Sequence, residues 1–148
     1  MVEREVISTL NGLIETCRDG EQGFREAAEN LRDRNVKDLF AEFASERARF
    51  AEELKDQVQR LGGTPEEGGS TSGAVHRGWM NVKEAVTGRD DKAIISEAER
   101  GEDVAVERYR EALREPLPAT VESVVSRQFE HVRQAHDRVR DLERQYER

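Results

Sequence analysis

Two Gly-Glu pairs stand out among the residues whose types and spacing could support chemistry. Gly20-Glu21 and Gly101-Glu102 lie 81 residues apart, and each occurs within a stretch whose pattern is otherwise helical. A glycine in a helix interior costs about 1 kcal/mol relative to alanine, and a buried carboxylate is costly unless it is paired. The repeat therefore indicates a polar site, and its chemistry depends on the helices that position the two glutamates.

Four long segments of the chain carry apolar residues at every third or fourth position, which is the pattern of amphipathic helices. The first two helices are predicted to form a hairpin over 3–62, with a tight turn near Arg34. Asn35 is the expected N-cap of the second helix. The other two helices are predicted to form a hairpin over 89–146, which turns at EPLPA (115–119).

The connector over 63–88 determines how the two hairpins are joined. It is much longer than a short turn needs, and a short helix from about 74 to 86 is predicted within it. Such a connector favours a crossover that runs back along the bundle and makes the second and third helices parallel. The prediction is all-α: a ferritin-like four-helix bundle with one long crossover and an extra short helix, forming a single domain over 1–148.

Counting from the two predicted turns brings four polar residues to one level of this bundle. Glu21 and Arg47 lie thirteen residues on either side of the first turn, and Glu102 and Gln128 thirteen on either side of the second. Thirteen helical residues span roughly 20 Å, about half of each helix. We therefore expect Glu21, Arg47, Glu102 and Gln128 to form one buried polar layer at the bundle centre, where the neighbouring glycines allow a close approach between helices.

This layer resembles the site of carboxylate-bridged di-iron bundles, which place one Glu on each of two helices and Glu-x-x-His on each of the other two. Glu21 and Glu102 match the two single glutamates. The matching positions of the other helices read RARF (47–50) and QFEH (128–131). Of the six expected ligands, one is therefore replaced by Arg, one by Gln and one by Phe.

Two interpretations of the layer remain open. The favoured one is a non-catalytic bundle with a degenerate di-iron site, in which a buried Glu-Arg-Glu-Gln network takes the place of the metal and no cofactor is bound. The alternative is an oxidase or ferroxidase that binds iron through an atypical ligand set. Its expected ligands are Glu21, Glu46, Glu102 and His131, although the charge of Arg47 would repel a cation.

Composition excludes several classes of function. The net charge is −8 and there is no evident basic patch, which argues against nucleic-acid binding. No apolar run approaches the ~20 residues of a membrane span. The only cysteine, Cys17, lies in an apolar stripe and is expected in the core. We expect a cytoplasmic protein, with a homo-oligomer or a protein partner possible and neither identified.

Three other side chains have simple structural interpretations. His136 is expected to form a hydrogen bond between helices rather than to bind a ligand. His76 and Trp79, in the segment HRGW, are expected to hold the crossover helix against the bundle. No nucleophilic triad, phosphate-binding loop or CxxC motif occurs, so nothing favours nucleophilic catalysis.

Four segments resemble a bacterial ferritin-like four-helix-bundle family of unknown function, of the DUF2383 type. They are LNGLIETCRDGEQGFREAAE, VHRGWMNVKEAVTG, ERGEDVAVERYREAL and QAHDRVRDL. The resemblance covers nearly the whole chain and implies the bundle fold. It implies no activity.

Overall fold

The computed structural model describes residues 3–66 and 90–147, and every regular element within those ranges is an α-helix. The elements are α1 (Glu3–Asn30), α2 (Arg34–Arg60), α3 (Asp91–Leu113) and α4 (Ala119–Glu147). The predicted short helix over 74–86, with His76 and Trp79, lies outside the described residues.

The four helices pack as two hairpins side by side. Helix α1 contacts α2 and α3, and α4 contacts α3 and α2, so the diagonal pairs of the bundle are α1/α4 and α2/α3. The backbone N–H groups of Arg32 and Asp33, in the α1–α2 turn, both donate to Asp91 at the start of α3, at 2.9 Å. Gly63, just beyond α2, lies at the other end against Ile7 near the start of α1. Helices α2 and α3 therefore run parallel, as the length of the connector predicted.

The buried apolar side chains form two clusters, one toward each end of the bundle. On α1 the clusters are separated between Cys17 and Phe24, and on α2 between Ala44 and Phe50. The intervening levels contain the first Gly-Glu pair and Arg47. A polar level thus divides the core of this bundle in two.

Local sequence signals determine where helix α2 begins and ends. Its N-cap is Asp33, whose side chain accepts hydrogen bonds from the N–H groups of Asn35 and Val36. The prediction of Asn35 as the N-cap was wrong, because Asp33 satisfies the free N–H groups two positions earlier. At the other end Gly62 has φ +82°, and Gly63 N–H donates to Val58 O at 3.0 Å. This is a Schellman-type end, for which glycine is the favoured residue.

Candidate functional site

The central feature of the polar level is an ion pair between Arg47 on α2 and Glu102 on α3. Arg47 Nη2 lies 2.5 Å from Glu102 Oε2, and the two side chains are 1% and 0% exposed. Because α2 and α3 are a diagonal pair, this contact crosses the bundle axis. Arg47 Nε and Glu102 Oε1 have no hydrogen-bond partner in the described protein.

Two residues of α1 shape the space that the guanidinium occupies. A Cβ added to Gly20 would lie 2.8 Å from Arg47 Nη1, closer than real contacts allow. On the same helix, the ring of Phe24 lies 5.5 Å from Arg47 Cζ, within the range of a cation–π contact. The absence of a side chain at Gly20 therefore leaves space for the guanidinium of Arg47.

The electrostatics of Arg47 favour its charged form. Burial lowers the pKa of Arg47, but the charge of Glu102 and its hydrogen bond outweigh burial, so the pKa lies above its ordinary value. A buried charge persists only when it is paired in this way. The bundle centre therefore contains a permanent cation of the protein itself.

Gln128 belongs to a different network, at another level of the bundle. Its Oε1 accepts from Tyr109 Oη at 2.8 Å, and its Nε2 donates to Phe50 O and to Glu53 Oε1, at 3.2 and 3.0 Å. Tyr109 Oη also lies 3.1 Å from Cys17 Sγ. Tyr109 is seven residues beyond Glu102, or roughly 10 Å along α3. The structure thus separates Gln128 from the Arg47–Glu102 pair.

Glu21 is paired on its own helix. Its carboxylate accepts from Arg18 Nη1 at 3.0 Å and from Arg25 Nη1 at 2.9 Å, and its side chain is 13% exposed. Arg18 also contacts Glu52 of α2. No hydrogen bond joins Glu21 to Arg47 in the described part of the chain. Of the four residues predicted to form one layer, the structure joins Arg47 with Glu102 and gives Glu21 and Gln128 other partners.

The residues expected as alternative iron ligands are also dispersed. His131 is about half exposed, and its Nδ1 lies 3.5 Å from Glu46 Oε2 on the surface between α4 and α2. Glu21 has its two arginines, and Glu102 has Arg47. Within residues 3–66 and 90–147, no three of the residues Glu21, Glu46, Glu102 and His131 have ligand atoms within 4.8 Å of one another. With a guanidinium on the bundle axis, this donor set does not fit a di-metal centre.

A different group of metal-ligating side chains does converge. Ligand atoms of Glu99 and Asp103 on α3 and of His136 on α4 all lie within 4.8 Å of one another. His136 Nε2 lies 2.5 Å from Asp103 Oδ1, which is the hydrogen bond between helices that sequence reasoning favoured for this histidine. Sequence reasoning missed the two acidic partners, although their spacing of four residues places them on one face of α3.

Neighbouring charges perturb this cluster. Burial raises the pKa of Glu99 to about 7, with further contributions from a hydrogen bond with Glu143 and from the charge of Asp103. Burial lowers the pKa of His136, but its hydrogen bonds with Asp103 and Asp137 outweigh that effect and leave it above the ordinary value. The cluster therefore combines an imidazole that readily holds a proton with several crowded carboxyl groups.

Comparisons with known proteins identify the family and the fold. Residues 5–115 match the family described as a domain of unknown function, DUF2383. This match covers more than half of the chain, so the chain belongs to that family. A search of curated proteins found no match. None of the described helices is long and apolar enough to cross a membrane.

The solved structures that are similar to this chain include the following two. One is a two-domain protein from Anabaena variabilis that contains DJ-1/ThiJ/PfpI-like and ferritin-like domains, with a TM-score of 0.77 and 15% identity. The match covers 99% of this chain but 38% of that protein's length. The other is a point mutant of Mycobacterium smegmatis Dps1, with a TM-score of 0.74, 14% identity, and coverage of 95% and 96% of the two chains. At such identities the likeness shows the fold alone, which is ferritin-like.

Proposed function

We propose that this member of the DUF2383 family is a non-catalytic ferritin-like bundle in which the buried Arg47–Glu102 ion pair replaces a central metal site. The proposal treats 1–148 as one domain that acts in the cytoplasm through a protein partner or a second copy of itself, as a stress-associated or interaction protein. No cofactor is assigned to the bundle centre.

One observation carries the proposal. A guanidinium that is 1% exposed lies on the bundle axis and bonds the glutamate that would otherwise be a central ligand. A cation entering this level would have to displace Arg47 from Glu102 and would meet an uncompensated positive charge at close range. The remaining polar side chain of that predicted layer on α4, Gln128, is already bonded to Tyr109 and Glu53.

The alternative, an iron-dependent oxidase or ferroxidase, would need Glu21, Glu46, Glu102 and His131 to leave their present partners and move together. Anaerobic titration of the full chain with Fe²⁺ separates the two ideas. The proposal expects no iron binding that depends on Glu21 or Glu46. Stoichiometric binding that is lost in Glu21→Gln and Glu46→Gln, but kept in His136→Gln, would revive the alternative.

Stability measurements test the ion pair itself. Removing one partner of a buried pair typically costs about 3–5 kcal/mol, so Arg47→Ala should lower the free energy of unfolding by that amount at pH 7. The double variant Arg47→Met/Glu102→Gln should regain much of the loss, because it removes both charges. Urea unfolding of the unaltered protein and the two variants at pH 7 measures both effects.

A matched control lies on the same helix. Arg60 pairs with Asp56 at 2.9 Å, but both side chains are more than half exposed. Arg60→Ala should therefore cost less than about 1 kcal/mol. If Arg47→Ala were as mild as Arg60→Ala, the ion pair would not define the bundle centre.

A further inference from the structure

We propose that Glu99, Asp103 and His136 form a binding site for one divalent transition-metal ion, on the face of the bundle between α3 and α4. The site is separate from the Arg47–Glu102 pair and uses none of the residues expected as di-iron ligands. It goes beyond the proposed function, which concerns the bundle centre.

The geometry of the donors carries the proposal. Glu99 and Asp103 are four residues apart, so α3 presents both carboxylates on one face. His136 faces them from α4, and one ligand atom from each residue lies within 4.8 Å of the other two. Around a tetrahedral Zn²⁺, ligand atoms lie roughly 3.3 Å apart. The separations of the three donors therefore differ from that spacing by about 1.5 Å or less.

The surroundings of His136 match those of a metal-binding histidine. Its Nδ1 lies 3.1 Å from Asp137 Oδ1, and Asp137 is itself contacted by Arg140 Nη2 at 3.5 Å. Metal-ligating histidines characteristically donate their second N–H to a carboxylate, which fixes the ring and the tautomer. With Nδ1–H donated to Asp137, the lone pair of Nε2 faces Asp103 once a metal replaces the proton between them.

A third carboxylate lies next to these donors. Glu143 is seven residues beyond His136 on α4, so it lies on the same face of that helix, and its side chain interacts with Glu99. A cation bound by Glu99, Asp103 and His136 would therefore meet a further negative group.

The donor types indicate the class of metal. One imidazole nitrogen with two or three carboxylate oxygens suits Zn²⁺, Fe²⁺, Co²⁺ or Mn²⁺. Ca²⁺ and Mg²⁺ prefer sites made entirely of oxygen ligands, and Cu⁺ prefers thiolates and thioethers. Cys17 is buried and lies in another network, bonded to Tyr109.

The test uses metal-free full-length chain with Zn²⁺ by calorimetry and Co²⁺ by visible absorption. We expect one saturable site, with an affinity that falls at least about 10-fold in His136→Gln and in Asp103→Asn. The matched control is His131→Gln, which alters the other described histidine and should change the affinity less than about 2-fold. Ring nitrogen shifts of the unaltered chain, followed by NMR during Zn²⁺ titration, should identify Nε2 of His136 as the ligand without any substitution.

The outcomes separate this site from the bundle centre. Absence of saturable binding, or binding that survives His136→Gln unchanged, would overturn the proposed site and leave the proposed function standing. Binding that depends on Glu21 and Glu46 instead would contradict both. Binding that depends on His136 and Asp103, and that Glu21→Gln and Glu46→Gln leave unchanged, would support both the metal site and the proposed function.

Discussion

Gly12 and Gly20 lie eight residues apart on α1, but their surroundings differ. A Cβ at Gly12 would meet nothing within 4 Å, whereas one at Gly20 would lie 2.8 Å from Arg47 Nη1. Arg47 is a flexible side chain in general, but here its guanidinium is buried and bonded to Glu102. The sequence indicated that this glycine allows a close approach, but not that the approaching group is a charged side chain.

This difference predicts opposite effects for the same substitution. Gly12→Ala should stabilise the protein by up to about 1 kcal/mol, the gain in helix propensity. Gly20→Ala should destabilise it, because the added methyl group displaces Arg47 from Glu102. In an Arg47→Ala background the cost of Gly20→Ala should disappear, and a double-mutant cycle in urea measures that coupling. If Gly20→Ala stabilises the unaltered protein as much as Gly12→Ala does, the guanidinium has room to move.

At the scale of elements, residue counting succeeded for one hairpin and failed for the other. In the first hairpin, counting from the turn placed Glu21 level with Arg47, and its neighbour Gly20 does contact Arg47. In the second hairpin, counting placed Gln128 level with Glu102, but Gln128 contacts Tyr109, which lies seven residues beyond Glu102 on α3. The segment 114–118 between α3 and α4 is not helical and contains two prolines, which cannot continue a regular helix. The contacts of Tyr109 with Gln128 and of Asp103 with His136 are displaced by seven and nine residues from the pairing that counting gave, and no stripe of apolar residues records that displacement.

The same displacement explains which α4 residue lies at the polar level. The two core clusters are separated on α4 between Val132 and Val139. His136 lies in that interval, and Gln128 does not. A count based on a symmetric turn therefore selected Gln128, and the structure gives the place beside Glu102 and Asp103 to His136.

The N-terminus of α2 yields a prediction at this scale. Asp33 caps the helix and accepts from Tyr146 Oη at 2.7 Å, and that bond is the main reason why the pKa of Asp33 lies below its ordinary value. A lowered pKa means that the stabilisation is present above the unfolded value, about 3.9, and is lost as the pH falls through the folded value. Asp33→Ala should therefore cost about 0.5–2 kcal/mol at pH 7, and less near pH 3.

Urea unfolding at both pH values checks this prediction, with two matched controls. Asp33→Asn retains an acceptor oxygen without a titrating charge, so it should keep part of the cap at both pH values. Tyr146→Phe removes only the phenolic donor and should weaken the pH dependence without removing the cap. An Asp33→Ala cost that is equal at pH 7 and pH 3 would mean that the carboxylate charge is not involved.

For the whole molecule, the sequence was sufficient to predict the helices and the way they are joined. Four stripes predicted four helices, and the connector over 63–88 predicted parallel α2 and α3, which the contacts of Asp91 with the α1–α2 turn confirm. Individual partners across the bundle were harder to predict, because they depend on how far each helix is displaced along its neighbour. Because the ion pair lies between the two apolar clusters, we expect it to couple the two ends of the core.

Cys17 offers a probe of that coupling. It is 0% exposed in the cluster to which all four helices contribute, so a reagent reaches its thiol only when the helices separate. Burial raises the pKa of Cys17 to about 11, so at pH 8 the reactive thiolate forms mainly in molecules whose helices have separated. We expect labelling by a disulfide reagent to be very slow in buffer and to accelerate with urea in parallel with global unfolding.

Arg47→Ala, by weakening the whole bundle by about 3 kcal/mol or more, should accelerate labelling roughly 10²-fold. Arg60→Ala should leave the rate nearly unchanged. Fast labelling at equal rates in all three proteins would show that α1 opens locally, and that the ion pair does not couple the two ends of the core.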